Sequence, residues 1–191
     1  MRFRLVYEGS LPSDGSPKDK HAIRRQLHGQ LKELWTQHEA LKVISDHYEG
    51  MLPNANEPGW SPGIGLRQIA SQHARCGFEF VPLVSSRFRL VCSIGILFLR
   101  RENPGAVVSG GDIDNRLKTL FDGLCVPNCD QVVGEPEADE KPMFCLLEDD
   151  RLVTEVRVTT DRLLSPLGEG QSRADVLLII SVELEQTSSL W

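Results

Sequence analysis

Two aspartates one residue apart, Asp112 and Asp114, follow a glycine pair in the stretch GGDIDNRLKTLFDGL, with Lys118 four residues after the second. Ile113, Leu117, Leu120, Phe121 and Leu124 fall on one stripe of a helix, so that side is core. Asp114, Lys118 and Asp122 form the neighbouring stripe at i, i+4 and i+8, along the margin of that core. If both are helical, Asp112 lies about 200° around the axis from Asp114, at 3.6 residues per turn. An extended lead-in or N-cap position for Asp112, made inexpensive by the glycines before it, would instead fold its carboxylate over the helix start toward Asp114. Helix capping accounts for this stretch taken alone: Asp112 caps, Asp114 complements the dipole and Lys118 pairs with Asp114.

A second acidic pair asks for more. LLEDDRLVTEVRV puts Asp149 and Asp150 just before an apolar run that reads as a strand. Alternate residues of a strand share a face, so Asp150 is in phase with Leu152, Val156 and Val158 and is expected to face the helix layer. Asp149, in phase with Arg151, Glu155 and Arg157, is expected to face solvent. Three converging carboxylates repel one another unless a cation lies between them, and hard oxygen ligands with room for water suit Mg²⁺ or Mn²⁺. Such a centre does phosphoryl chemistry, with Lys118 as the ammonium that offsets charge in the transition state.

At these residues the sequence resembles the RusA family of Holliday junction resolvases. The likeness rests on DIDNRLKTLFDGL followed by LLEDDRLVTEVRV, about forty residues once the segment between them is removed, with weaker support from an N-terminal strand, a Pro/Ser turn and a helix. The resemblance implies a homodimeric, magnesium-dependent endonuclease that cuts branched DNA at four-way junctions by paired nicks. It implies Asp112, Asp114 and Asp150 as metal-binding carboxylates and Lys118 as the essential lysine; Asn115 matches the family's asparagine after the second aspartate. The chain departs from the compact family pattern in the strongly acidic segment between Cys125 and Leu147, in its greater length and in its negative charge. A relative that keeps the fold but binds nucleic acid or protein without cutting is the alternative, and a plain α+β domain with a capped helix is a third.

The net charge of −6 argues against a general polyanion binder. Residues 1–32 nevertheless hold an excess of bases, whereas residues 125–150 hold eight acids against Lys141 alone. Affinity for a junction comes largely from Lys and Arg neutralising phosphates. The candidate DNA-binding bases are Lys18, Lys20, Arg24, Arg25, Arg87, Arg89, Arg100, Arg101 and Arg116.

The elements that must position these residues are legible in outline. Residues 2–7 alternate as a half-buried strand, and apolar residues at steps of three and four predict a helix over residues 18–43. Further strands are expected at 78–84, where Pro82 favours an edge, at 88–99, at 151–159 and at 175–184, with a short helical or irregular piece at 66–75. The result is an α+β fold, helices packed on a mixed or antiparallel sheet, in a single domain over residues 1–191 with irregular insertions at about 49–65 and 125–147. The N-terminus lacks the apolar core of a signal peptide, which makes a cytoplasmic protein the default. The run LVCSIGILFL is far short of the roughly 20 residues needed to span a bilayer, so no membrane partner is expected. Five cysteines at irregular spacing are expected to be reduced thiols, and Cys125 with Cys129 has no second pair at zinc-finger spacing.

Overall fold

A computed structural model describes residues 1–46, 65–101, 112–165, 168 and 175–187, with the side chains of Asp46 and Asp112 outside that set. Four strands form one mixed sheet in the order β1–β6–β3–β5: β1 Arg2–Ser10, β3 Leu90–Arg100, β5 Val153–Arg162 and β6 Asp175–Gln186. β6 runs antiparallel to both β1 and β3, and β5 runs parallel to β3. A second pair of strands, β2 Phe80–Val84 and β4 Met143–Leu147, is parallel. Four helices complete the α+β fold: α1 Pro17–Gln37, α2 Glu39–Asp46, α3 Leu66–Gln72 and α4 Asp112–Leu124.

Alternation in the sequence becomes two unlike faces of the main sheet. Leu5, Tyr7, Ile94, Ile96, Phe98, Leu178, Ile180 and Val182 are buried on one face. They join the inner residues of α1 and the Val81, Leu83 and Leu146 face of the strand pair in one core. The other face of that pair holds Phe78, Phe80, Met143 and Cys145 in a smaller cluster with Val126.

α1 begins where its chemistry says it should. Ser16 and Asp19 make a reciprocal capping box and Pro17 occupies the first turn, where its missing N–H costs nothing. The expected single helix over 18–43 is broken at His38, which leaves helical geometry (φ −78°, ψ 119°). The His38 carbonyl then accepts from the Leu41 and Lys42 N–H groups at 2.9 Å and starts α2, which turns Leu41 into the core.

β4 is the element that pattern reading missed. It lies inside the segment expected to be an insertion, and all five of its residues are buried against β2. A run with both faces covered shows no period of two, so MFCLL carries no alternation to detect. Pro82 sits on β2, whose only strand partner among the described residues is β4, as an edge residue should. The insertion expected at 49–65 lies outside the described residues except for Gly65.

The expectation of five reduced thiols is corrected: Cys76 and Cys129 form a disulfide with Cα atoms 5.7 Å apart. The pair is 53 residues apart in sequence, so only the fold brings it together. No helix among the described residues is long and apolar enough to cross a membrane.

Candidate functional site

α4 is pinned to α1 through its C-terminal half. The Gly15 N–H donates to Thr119 Oγ1 at 3.2 Å, and a Cβ on Gly15 would lie 2.2 Å from Thr119 Cγ2. One turn further on, Gly123 lets Ile23 approach so closely that a Cβ there would sit 2.7 Å from Ile23 Cγ2. Arg24, fully buried, donates through Nη2 to the Asp122 carbonyl at 2.8 Å and through Nε to the Cys125 carbonyl at 3.3 Å. These are last-turn carbonyls that the helix itself leaves unsatisfied, so the guanidinium is a C-terminal staple. Lys20 adds an ion pair to the Asp122 carboxylate at 2.7 Å.

This clamp fixes which side of α4 is free. Leu120 and Leu124 are buried, and Leu117 and Phe121 pack against the core, as the stripe predicts. Asp114, Asn115 and Lys118 are exposed. The ion pair that a capping account expects between Asp114 and Lys118 is absent from the ion pairs of the described residues. α4 starts at Asp112, so the backbone gives Asp112 the helical alternative of the two considered.

The Asp149–Asp150 turn comes to the other end of α4. The Val126 N–H donates to the Leu147 carbonyl at 2.9 Å, an isolated parallel bridge joins Cys125 to Leu147, and the acidic turn follows two residues later. Burial pushes the Cys125 thiol up, and neighbouring Cys145 and the carboxylates of Asp150, Asp149 and Asp122 push it further. Asp122, rather than Asp114, is therefore the α4 carboxylate that shares an environment with this turn. Asp114 lies two helical turns from Asp122, about 12 Å along the axis at 1.5 Å per residue.

Here the strand-phase expectation is corrected. Asp150 is not in β5 but opens a 3-10 turn, Asp150–Leu152, and is exposed. Asp149, expected to face solvent, is half-buried and caps that turn. Its Oδ1 accepts from the Arg151 N–H at 3.0 Å, while the guanidinium of Arg151 donates to both oxygens at 2.8 and 2.9 Å. The Arg151 guanidinium holds the Asp149 carboxyl well down, to about 2. Within β5 the expected phase does hold: Val156 and Val158 are in register with buried Ile94 and Ile96. Val156 is still 46% exposed, because β5 is a sheet edge.

Neighbours of the turn could not be found from sequence spacing. Glu148 accepts from the Ser86 N–H at 2.7 Å and from its hydroxyl at 3.1 Å, which holds the short turn carrying exposed Arg87 and Arg89 beside the acids. His73, half-buried on the far side, feels Glu148, but burial dominates and keeps its pKa below 6.5. The sequence holds no signal for either contact, since both join segments more than sixty residues apart.

The nine candidate phosphate-binding bases divide. Lys18, Arg87 and Arg89 are exposed, and Arg101 and Arg116 are half-buried. Arg24 and Arg100 are corrections: at 0% and 3% exposure they have no surface to offer a phosphate. Lys20 is committed to Asp122, and Arg25 to Glu140 at 2.6 Å and Glu137 at 3.1 Å. Lys32 Nζ also donates to the Asp139 carbonyl at 3.2 Å. The acidic segment thus closes on the basic face of α1, and part of the charge separation seen along the chain is neutralised within the fold.

The donor chemistry of Asp112, Asp114 and Asp150 is that of a hard divalent cation with waters in its shell. Among the described residues no three His, Cys, Asp or Glu side chains stand together as a metal site. Asp112, whose side chain is outside that set, is the third carboxylate of the expected triad. The free cysteines offer no alternative nucleophile: burial raises Cys92 and Cys145 to about 12 and Cys125 is raised too, so all three thiols stay protonated. Comparison with protein-family models, with curated proteins and with solved structures finds no match for the chain.

Proposed function

We propose that the protein is a metal-dependent, structure-selective DNA endonuclease of the RusA type, hydrolysing phosphodiester bonds at four-way junctions as a homodimer. The observation that carries the reading is the free row on α4. Asp114 and Lys118 are exposed, no ion pair joins them among the described residues, and they stand on a helix clamped by Gly15, Gly123 and Arg24. A capped helix has no need of an unpaired carboxylate and ammonium held that rigidly, whereas a phosphate-cutting site needs both.

In this reading Asp112, Asp114 and Asp150 supply the carboxylates for Mg²⁺, with Mn²⁺ able to substitute; since α4 sets Asp112 and Asp114 on different sides and the acidic turn lies at its far end, binding must draw the three together. Bound there, the ion would polarise the phosphate and make its water acidic enough to supply hydroxide near neutral pH. Lys118 places a positive charge beside the oxygens that gain charge, one turn from Asp114. Arg87 and Arg89 present guanidinium groups to the strand entering beside the acidic turn. Lys18 is a further exposed base able to meet phosphates, and the reading also assigns Arg101 and Arg116, both half-buried, to that role.

The test is cleavage of a labelled synthetic four-way junction beside linear duplex, with Mg²⁺, Mn²⁺ or EDTA, using wild type and Asp114→Asn. Metal-dependent, symmetric cuts confined to the junction should fall at least about 100-fold in the variant while junction binding is kept, since the lost carboxylate acts on the transition state. Binding without cutting in any metal would favour the non-cleaving relative, a reading to which the closed acidic segment lends weight. No binding at all would return the two aspartates to helix capping.

A further inference from the structure

The face of the main sheet turned away from the helices carries a recess that the nuclease reading does not use. Strand register sets it out. One row across the strands reads Arg4, Ser181, Gly95, Arg157, so the two central strands put small residues between arginines on the two edges. The neighbouring row sets Arg2 against Glu183, with Ser93 beside Glu183 and Glu155 beyond. Over these rows lies an open cavity of about 650 Å³, a volume in the range that takes a small ligand.

Gly95 stands in the middle of the 11-residue central strand, where glycine weakens the sheet. Its backbone is not left-handed, and the register shift of β3 lies elsewhere, between Cys92 and Ser93. A Cβ on Gly95 would come no nearer to the described residues than 3.8 Å, from Ser181 Cβ. Packing within the chain therefore does not ask for glycine here; what the glycine provides is depth between the flanking arginines.

The charges around that depth suit an oxyanion. Arg4 is exposed and joins none of the ion pairs of the described residues. Arg157 pairs with Glu155 at 2.7 Å and Arg2 with Glu183 at 2.5 Å, but both pairs are exposed and worth little, so a dianion can draw the guanidiniums away. β1 and β5 stand about 14 Å apart across three strand spacings, and an arginine bending in from each edge covers roughly half of that. Two guanidinium forks facing one another over a serine hydroxyl match the oxygens of a phosphate. Along the strands the bases stop, since Val6 and Thr159 follow Arg4 and Arg157 on this face. The patch is one anion wide, not the continuous track that a polynucleotide backbone follows. Glu183, on the other side of the recess, accepts hydrogen bonds from hydroxyl groups and repels a second anion.

We propose that this recess binds a small phosphate monoester with a hydroxyl-bearing body, a sugar phosphate or a mononucleotide. The phosphate lies between Arg4 and Arg157 over Ser181 and Gly95, and the sugar hydroxyls turn toward Ser93 and Glu183. The site is on the side of the sheet away from α4, so it holds or fails independently of cleavage.

Isothermal titration calorimetry on the whole chain tests it, with EDTA present so that no divalent ion bridges the ester to the α4 carboxylates. The ligands are adenosine 5′-monophosphate, ribose 5-phosphate, inorganic phosphate and adenosine. An ester should bind with a Kd of about 1 mM or below and at least about 10-fold more tightly than inorganic phosphate or adenosine. A tighter nucleotide makes the base part of the ligand and equal affinities make it the sugar phosphate; both uphold the site. Arg4→Ala and Arg157→Ala should each weaken binding by about 10-fold or more, since each removes a charged donor pair. Gly95→Val should abolish binding with every charge in place and, as valine suits a strand, should melt no lower than wild type. Circular dichroism checks the fold of each variant, and the two arginine variants decide the matter should Gly95→Val disturb it. No ester binding at about 10 mM, or binding that inorganic phosphate or adenosine equals, overturns the proposal. So does binding indifferent to both arginine variants, or binding that survives in a folded Gly95→Val. Displacement of the bound ester by duplex DNA would give the recess to a polynucleotide and overturns it as well. A chain that binds the ester and never cuts DNA leaves the proposal standing and counts against the nuclease reading alone.

Discussion

The imidazole of His28 shows how one side chain can tie three segments and set a pH limit. The Phe144 N–H can only donate, so His28 Nδ1, 2.8 Å away, must accept. Nε2 therefore carries the proton and donates to the Asp139 carbonyl at 3.0 Å. A charged ring would point a second N–H at a donor, and burial already holds the His28 pKa below 6.5, as it does for His21 and His73. Because the folded values are depressed, the unfolded chain takes up protons first. The stability these rings contribute is fully present above pH 6.5 and is lost as pH falls below it. We expect the unfolding free energy from urea titration to hold between pH 7.5 and 6.5 and to drop below pH 6.5, by up to about 1.4 kcal/mol per pH unit for each ring that must charge, and less steeply in His28→Gln. A free energy that stays flat below pH 6.5 would rule the linkage out. At this scale the sequence was a partial guide. It set Asp114, Lys118 and Asp122 on a stripe beside the core because helical spacing alone decides their side, but could not show that Asp122 is tied to Lys20. It misplaced Asp149 and Asp150, because a strand's phase says nothing about a cap on the turn before it. It could not separate the staple Arg24 from an ordinary surface base.

Among elements, the seam between α1 and α4 decides whether the acidic row is held still. Gly123→Ala would gain up to about 1 kcal/mol of helix propensity. The new Cβ, however, would lie 2.7 Å from Ile23, a branched side chain with 0% exposure and nowhere to move. Overpacking of this kind costs about 1 to 3 kcal/mol, so the clash wins and Tm should fall by several degrees. Gly29 is the internal control: it is exposed in the middle of α1, and a Cβ there meets nothing within 4 Å, so Gly29→Ala should raise Tm. If the two substitutions shift Tm alike, the seam is not tight. β1, with one wet face, was legible from alternation, and β6 from its apolar run. The central β3 was legible from its apolar length. The short β4 and the break at His38 were not, since a fully buried five-residue run and a lone backbone excursion leave no periodic trace.

On the scale of the whole molecule, one covalent link joins what the hydrogen bonds only lean together. The Cys76–Cys129 disulfide fastens the turn before β2 to the acidic segment and closes a loop of 53 residues. In the chain-entropy account such a loop is worth about 4 kcal/mol, so dithiothreitol should lower the denaturation midpoint, and Cys76→Ser should lower it equally and be insensitive to reductant. An unchanged midpoint would mean the link is not formed in solution. The link also removes Cys129 from any pairing with Cys125. No spacing rule foretold it, because the partners meet only after β2 and β4 have paired.

The outer edge of β1 is already occupied: Gln30 of α1 accepts from the Val6 N–H at 2.9 Å and donates to the Val6 carbonyl at 2.7 Å, imitating one rung of a neighbouring strand. An amide side chain at that place works as a chain terminator. Among the described residues the β5 end of the four-stranded sheet carries no such plug, so edge pairing of copies proceeds through β5 and stops after a single addition instead of growing into a fibre.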